Sequence, residues 1–444
     1  MKISLSDHFN FRKLLRFTLP SMVMMVFTSI YSVVDGFFVS NFCESSTEFA
    51  AVNFIMPFLM ILGSVGFMFG TGGSTLVSKT LGEGDRDKAN RIFSLLIYVS
   101  SAIGIVISVL GVIFLRPVAA LLGAEGELLE HAVTYGRIII IALPAFILQM
   151  EFQSFFITAE KPNLGLVVTV LSGVTNMVLD ALLVGILPLG LVGAASATAA
   201  SQAVGGIIPI IYFSCKNKSL LRLGRTKVDL RALFKTCTNG SSELMSNIAF
   251  SVVGMLYNNR LLFYAGEDGV AAYGVLMYVG MIFNAIFIGY SIGTAPVIGY
   301  HFGAKNRHEL KSLLRKSCII IGIFSVCMLG LSFGLSSPLS KLFVGYKEEL
   351  YNLTVHGFRI YSLSFLFMGF AIYFSSFFTA LNDGLTSALI SFLRTLVFQI
   401  AAVIILPLLF GGIDGIWWSV VAAEVMAVAI SLIFVLIKKK KYGY

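Results

Sequence analysis

Residues 93–115 read FSLLIYVSSAIGIVISVLGVIFL, an unbroken run without a single charge. A strand with one wet face would alternate apolar and polar residues, and this stretch does not, so it reads as a helix. At about 1.5 Å per residue it spans roughly 35 Å, enough to cross a hydrocarbon core of about 30 Å. Backbone groups in lipid must be satisfied internally, which leaves helices or a closed barrel, and barrel strands would show a two-residue period. Working outward, eleven further stretches of this kind follow: near 14–40, 50–78, 134–158, 164–187, 190–214, 239–265, 270–298, 316–336, 355–380, 385–410 and 413–437. The chain is 57% hydrophobic and 12% charged, with a mean hydropathy of +0.89, outside the range of soluble domains. The expectation is an all-α integral membrane protein of twelve transmembrane helices.

The net charge of +9 does not point to nucleic acid. Of 32 Lys and Arg, 25 fall on the side that holds the N-terminus, among them seven between Lys216 and Lys235 and the run Lys438 to Lys441. Six fall on the other side, and Arg394 lies within a span. By the positive-inside rule both termini are cytoplasmic in a multi-pass plasma-membrane protein. Met1 to Phe11 is polar and carries no cleavable apolar segment, so the first helix is expected to remain. Cys43, Cys215, Cys237, Cys318 and Cys327 have no paired spacing, and the five His are scattered, so no disulfide frame or metal cluster is expected. With no HExxH, GxSxG, Walker A or GxGxxG pattern in a loop of useful length, an enzyme is not indicated, and ATP-driven pumping would need another chain.

Sliding the chain along itself by one constant offset superposes Gly72 on Gly293, Gly82 on Gly303, Arg86 on Arg307, Pro117 on Pro338, and Thr158 and Ala159 on Thr379 and Ala380. One offset held across four spans and their loops is a duplication. The expected domains are an N-lobe at 1–214, a basic cytoplasmic linker at 215–238 and a C-lobe at 239–444, two six-helix repeats around a central cavity. Six is even, so the lobes share one orientation and are related by an axis along the membrane normal. Two such lobes can rock about their interface, which favours a carrier.

Ionisable groups at membrane depth are functional candidates. Asp35 near the outer end of helix 1, Asp180 in helix 5 and Thr198 in helix 6 fall in one layer when each helix rises about 1.5 Å per residue. Asn176 with Asp180, Ala194 with Thr198, and Tyr31 with Asp35 are each four apart, hence on one face. Two carboxyls, an amide, a hydroxyl and the Ala194 carbonyl could form an oxygen site for Na⁺ or hold a proton. Two carboxyls held together out of water should titrate as a unit. The positions one repeat later, Leu256, Val397 and Ala401, carry no such groups, so the layer belongs to one lobe. Arg394 and Glu424, near mid-span in helices 11 and 12, are expected to pair, with a substrate-facing role as the alternative. Glu151 and Glu243 are expected nearer the inner face, attracting a cationic substrate or hydrated. The 39 Phe and 16 Met suit a broad apolar cavity. Candidate cavity residues are Tyr31, Phe38, Phe146, Tyr257, Tyr278, Arg394 and Glu424, each of the aromatics also accountable as packing. Pro20 removes one backbone bond from helix 1 and should permit a bend.

The motifs that carry a family likeness are Pro20 with Asp35, Gly70 to Lys79 (GTGGSTLVSK) ahead of Gly82 to Asp85, Asn176 to Asp180 (NMVLD), and Gly193 to Thr198 (GAASAT). Together they resemble the multidrug and toxic compound extrusion (MATE) family over nearly the whole chain. The resemblance implies an antiporter that exports varied amphipathic, often cationic compounds in exchange for Na⁺ or H⁺. It implies a cation site at Asp35, Asn176, Asp180, Thr198 and the Ala194 carbonyl, whose occupancy bends helix 1 near Pro20. One branch of the family carries an acid deeper in helix 7, where this chain has Glu243 early and then Asn247. Lipid bilayer and small-molecule substrates are the expected partners of a functional monomer, with no cofactor beyond the coupling ion and no nucleic acid. The rival readings are a lipid or lipid-linked oligosaccharide flippase, which should line its cavity with cations for a diphosphate, an intramembrane enzyme and a channel.

Overall fold

The computed structural model describes residues 3–42 and 46–444, with the side chains at 37, 40–42 and 46 left aside. Lys2 and Cys43, counted above, lie outside the described residues. Helices make up nearly all of it, and no strand occurs among the described residues. In chain order they are α1 (Phe11–Phe42), α2 (Ser46–Gly82), α3 (Arg86–Leu121), α4 (Gly126–Thr158), α5 (Pro162–Asp180, continued by a π-helical turn at Ala181–Ile186) and α6 (Gly190–Ser214). The run Leu230–Gly303 would measure about 110 Å as one straight helix. It is broken at Gly266, whose φ of 61° and ψ of −152° are accessible to glycine alone. Its arms are α7 and α8, and one repeat before the break lies the junction of α1 and α2. After them come α9 (Arg307–Val344), α10 (Glu348–Ser362 and Phe365–Ala380, bent by 47°), α11 (Gly384–Phe392, a π-helical turn at Leu393–Val397, then Phe398–Phe410) and α12 (Ile413–Tyr442). Twelve spans result once the Gly266 break and the α10 bend are counted.

The duplication reaches the loops. Asp85 caps α3 by accepting from the Lys88 N–H at 2.9 Å, and its counterpart in the second repeat, Asn306, caps α9 through the Glu309 N–H at 3.1 Å. Each is preceded by a positive-φ residue, Gly84 at 88° and Lys305 at 55°. Helix α7 begins at Leu230, earlier than the span at 239, so the non-helical connection is only residues 215–229. Of the basic side chains from Lys216 to Lys235, Arg231 and Lys235 are thus presented on a helix.

The lobes meet at the end of the molecule that holds the N-terminus. A Cβ on Gly82 would lie 2.0 Å from the Tyr300 carbonyl oxygen, and one on Gly303 2.0 Å from that of Lys79. Gly72 abuts Thr236 and Gly240 on α7, while Gly289 and Gly293 on α8 abut Met22, Ser21 and Thr18 on α1. The backbone contacts at Gly72, Gly82, Gly289 and Gly303 leave no room for a side chain, while Gly293 meets the Ser21 and Thr18 side chains. Towards the other end Gly36, Gly254 and Gly274 have nothing within 4 Å of a Cβ, so these glycines form no such seam there. Residues 3–10 strap the closed end. Leu5 and Phe9 are wholly buried. Glu160 of the first lobe accepts from the Leu5 N–H at 2.9 Å. Glu309 of the second accepts from the Phe9 N–H at 2.9 Å and sits 2.6 Å from His8 Nδ1.

Candidate functional site

Helix α5 presents one polar stripe, Thr169, Ser172, Asn176 and Asp180, all buried, at spacings of three and four. Gly173, on the same face, lets α1 come close: a Cβ there would lie 2.5 Å from the Phe27 ring and 2.8 Å from that of Tyr31. That approach puts Asp35 of α1 beside Asn176 and Asp180 of α5 and Thr198 of α6. The Thr198 hydroxyl donates to Asp35 Oδ1 at 3.4 Å, and the Asn176 amide donates to Thr198 Oγ1 at 3.5 Å. Both are at the long limit for hydrogen bonds, a loosely drawn ring rather than a closed network.

Asp180 is fully buried while Asp35 is half-buried. Neither carboxylate oxygen of Asp180, nor Asn176 Oδ1, has a hydrogen-bond donor. Two ionised carboxylates cannot hydrogen-bond each other; one proton, or one cation between them, would supply what these oxygens lack. The donor set is all oxygen, which suits a hard monovalent ion or a proton and not a soft metal. Among the described residues no group of three His, Cys, Asp or Glu is placed to hold a metal ion. Ala194, one turn before Thr198 on α6, is 1% exposed. Asp180 is also the last residue before the π-helical turn of α5, a shift in the backbone ladder that often accompanies functional positions.

Below the pair the polar chain continues inward. Tyr31 is in electrostatic contact with Asp35 and reaches Gln149. Gln149 donates to Ser172 Oγ at 3.1 Å, Ser172 donates to the Ser201 carbonyl at 2.7 Å, and Ser201 to the Thr198 carbonyl at 3.0 Å. Sequence spacing does not single out Gln149 or Ser201; Ser172 carries a signal as a member of the α5 stripe. Helix α1 is continuous through Pro20, which is buried beside the α1–α8 seam. The missing N–H leaves the Arg16 carbonyl without its helical partner.

In the second lobe Arg394 Nε donates to both oxygens of Glu424, at 2.9 and 3.1 Å, and Glu424 is nearly inaccessible. Arg394 too lies in a π-helical turn. Tyr257 is 1% exposed, stacks on Tyr273 and donates to Gln399 at 2.7 Å, so it belongs to the packed interior of that lobe. Phe38 and Phe146 are half-buried and Tyr278 is 51% exposed. Glu151 departs from expectation: it is neither hydrated nor directed at the cleft but wholly buried between α3 and α4, accepting from Ser100 at 2.5 Å. Its surroundings cannot be read from depth alone, because depth says nothing of which way a helix is rotated. Glu243 is half-buried and feels Arg394 without pairing to it at ion-pair distance.

A family model described as MatE matches residues 20–182 and again residues 244–405. Multidrug export protein MepA of Staphylococcus haemolyticus (strain JCSC1435) is 28% identical over 430 residues, 96% of this chain and 93% of that protein. MepA of Staphylococcus aureus (strain MRSA252) is 28% identical over 442 residues, 97% of this chain and 94% of that one. Among solved structures, a MATE crystal structure in complex with MaL6 superposes with a TM-score of 0.93 at 20% identity over 98% of both chains. The outward-facing conformation of a multidrug resistance MATE family transporter of the MOP superfamily gives 0.92 at 20% identity, over 98% of this chain and 97% of the other. At that identity the likeness is one of fold. With the family model matched once in each lobe, the chain belongs to the MatE family.

Proposed function

We propose that this protein is a cation-coupled antiporter that exports amphipathic, often cationic drugs and toxic compounds by alternating access. Na⁺ or H⁺ binds at Asp35, Asn176, Asp180 and Thr198, with the Ala194 carbonyl as a further oxygen. The observation that carries the reading is the meeting of two carboxyls from separate helices, one fully buried with both oxygens unpartnered. The names of the relatives, multidrug export proteins, support the substrate class.

The cation and the substrate favour opposite states of one two-state bundle, and that difference in affinity couples them. Bound between α1 and α5, the cation removes the repulsion that keeps these helices apart. Helix α1 then shifts about Pro20, at the point where it leaves the α8 seam. A tenfold cation gradient supplies about 1.4 kcal/mol per ion. A net charge moved adds about 2.3 kcal/mol per 100 mV. No bond is made or broken and no cofactor is needed. The protein works as a monomer with both termini in the cytoplasm, its lobes joined by the basic connection. Tyr31, Phe38, Phe146 and Tyr278 are the proposed substrate-facing aromatics, while Tyr257, Arg394 and Glu424 shape the wall from behind. A flippase is less well supported, because the cation at mid-depth, Arg394, is already bound by Glu424 through two hydrogen bonds.

Reconstituted vesicles test this. An imposed Na⁺ or pH gradient should drive uptake of a cationic dye by the unaltered chain, and Asp35→Asn or Asp180→Asn should abolish it. Undiminished gradient-driven transport in both variants would overturn the coupling role.

A further inference from the structure

Residues 215–229 are not a loose connection. The Arg86 guanidinium donates to the carbonyls of Ser219 at 2.9 Å and Leu220 at 3.1 Å. The Arg222 N–H donates to Asn90 at 2.7 Å, and the Gly224 N–H to Ser94 at 3.0 Å. The hydroxyls of Thr226 and Tyr98 donate to the carbonyls of Arg91 at 2.9 Å and Gly224 at 3.2 Å. Six bonds thus pin the segment along the first turns of α3. A tether whose only task was to span a gap would leave its polar groups to water.

Between this pinned segment, α3 and the start of α7 lies an open groove of about 930 Å³, at the upper end of the range for ligand sites. Five cations line it: Lys88, Arg91, Arg225, Lys227 and Arg231. None of them is in an ion pair among the described residues. The single acid in the lining, Asp229, accepts from the N–H groups of Arg231 and Ala232 at 3.0 and 3.1 Å, capping α7. Asp85 and Asp87 stand nearby at the start of α3, the first occupied in capping it. The excess of charge is therefore positive and unspent.

The rim of the groove is apolar. Val228, Leu230 and Phe234 are 73%, 74% and 72% exposed, and Leu230 and Phe234 are one turn apart on one face of α7. The groove lies just ahead of the apolar spans of α3, from 93, and α7, from 239, so its cations and its exposed apolar side chains share the face of the protein that meets the interfacial layer of phosphates and acyl chains. A free anion in water would use the cations and leave the apolar rim without purpose. A nucleic acid or acidic protein would do the same.

We infer that this groove binds the phosphate headgroup of an anionic phospholipid in the leaflet at the positive-rich face, with Arg225, Lys227 and Arg231 holding the phosphate and the acyl chains lying along Leu230 and Phe234. The lipid ties α3 of the first lobe to the first helix of the second. The reading needs only that the chain spans a membrane, and stands apart from the coupling site.

The test uses the full chain purified in detergent and examined by native mass spectrometry after exposure to phosphatidylglycerol or phosphatidylcholine. Phosphatidylglycerol should be retained in preference. Arg225→Gln with Lys227→Gln and Arg231→Gln should reduce its retention about tenfold or more, while phosphatidylcholine is unchanged. The charge-keeping pair Arg225→Lys and Arg231→Lys should stay near the unaltered chain. If the triple variant does not fold, Lys227→Gln alone should show a smaller loss in the same direction. Equal retention of phosphatidylglycerol in charge-neutralised and unaltered chains would overturn the inference. So would equal thermal stabilisation by inorganic phosphate alone, which would mark the occupant as a free anion.

Discussion

The glycine seam between the lobes makes a quantitative demand. In Gly82→Ala the new Cβ would lie 2.0 Å from the Tyr300 carbonyl oxygen, a backbone atom. A carbon and a carbonyl oxygen settle at about 3.3 Å or more, so the seam must open by roughly 1.3 Å there. Overpacking of this kind costs about 1–3 kcal/mol. The cost falls only on the state in which the seam is closed. The balance between the two states should therefore move by about 5- to 150-fold towards the state open at the N-terminal end. Gly303→Ala, facing Lys79 across the same seam, should act alike. One separation relieves both contacts, so the double variant should cost less than the sum of the two. Spin labels at positions 121 and 342, both highly exposed and equivalent in the two repeats, report the spacing of the far ends in a cysteine-free background. The distance distribution should shift to shorter values in either variant, with efflux reduced. An unchanged distribution with unchanged efflux would refute the rocking of lobes about this seam.

Arg394→Met strands Glu424, 2% exposed, without a partner, and should lower stability by about 3–5 kcal/mol; adding Glu424→Leu should restore most of it, as read from thermal unfolding in detergent. Asp383 anchors the C-terminal segment through the Tyr442 hydroxyl at 2.7 Å and Lys438 at 3.2 Å. Burial works against its charge, but Tyr442, Thr386 and Lys438 together hold its carboxyl below the usual carboxylate range. Its contribution is therefore complete at neutral pH and lost only in acid, as pH falls through the lowered value. Asp383→Asn should remove that contribution at neutral pH, and the last residues should become cleavable by carboxypeptidase at a rate well above that of the unaltered chain.

The twelve spans and the duplication are legible in the sequence because each rests on a pattern the chain carries along its length. Apolar runs such as 93–115 have no second reading, and a constant offset needs no knowledge of contacts. The layer of Asp35, Asn176, Asp180 and Thr198 can be drawn from helix rise and the four-residue face alone, and the structure brings these side chains together. Rotation about a helix axis is a different matter. Sequence position gives Glu151 a depth and nothing more; the side it turns is set by Gly70 and Ser100 on neighbouring helices. The strap at residues 3–10 escapes for a related reason, since its bonds run to Glu160 and Glu309, 155 and 300 positions away. The π-helical turns at Asp180 and Arg394 have no residue signature at all. They depend on how the helix is seated between its neighbours.

The most direct measurement is the affinity of a cationic substrate as a function of Na⁺ concentration and pH, in detergent, for the unaltered chain and for Asp180→Asn. Competition through one two-state bundle requires the apparent Kd to rise as the coupling cation is added, and requires that dependence to vanish in the variant. The same cation dependence in both proteins would contradict the account.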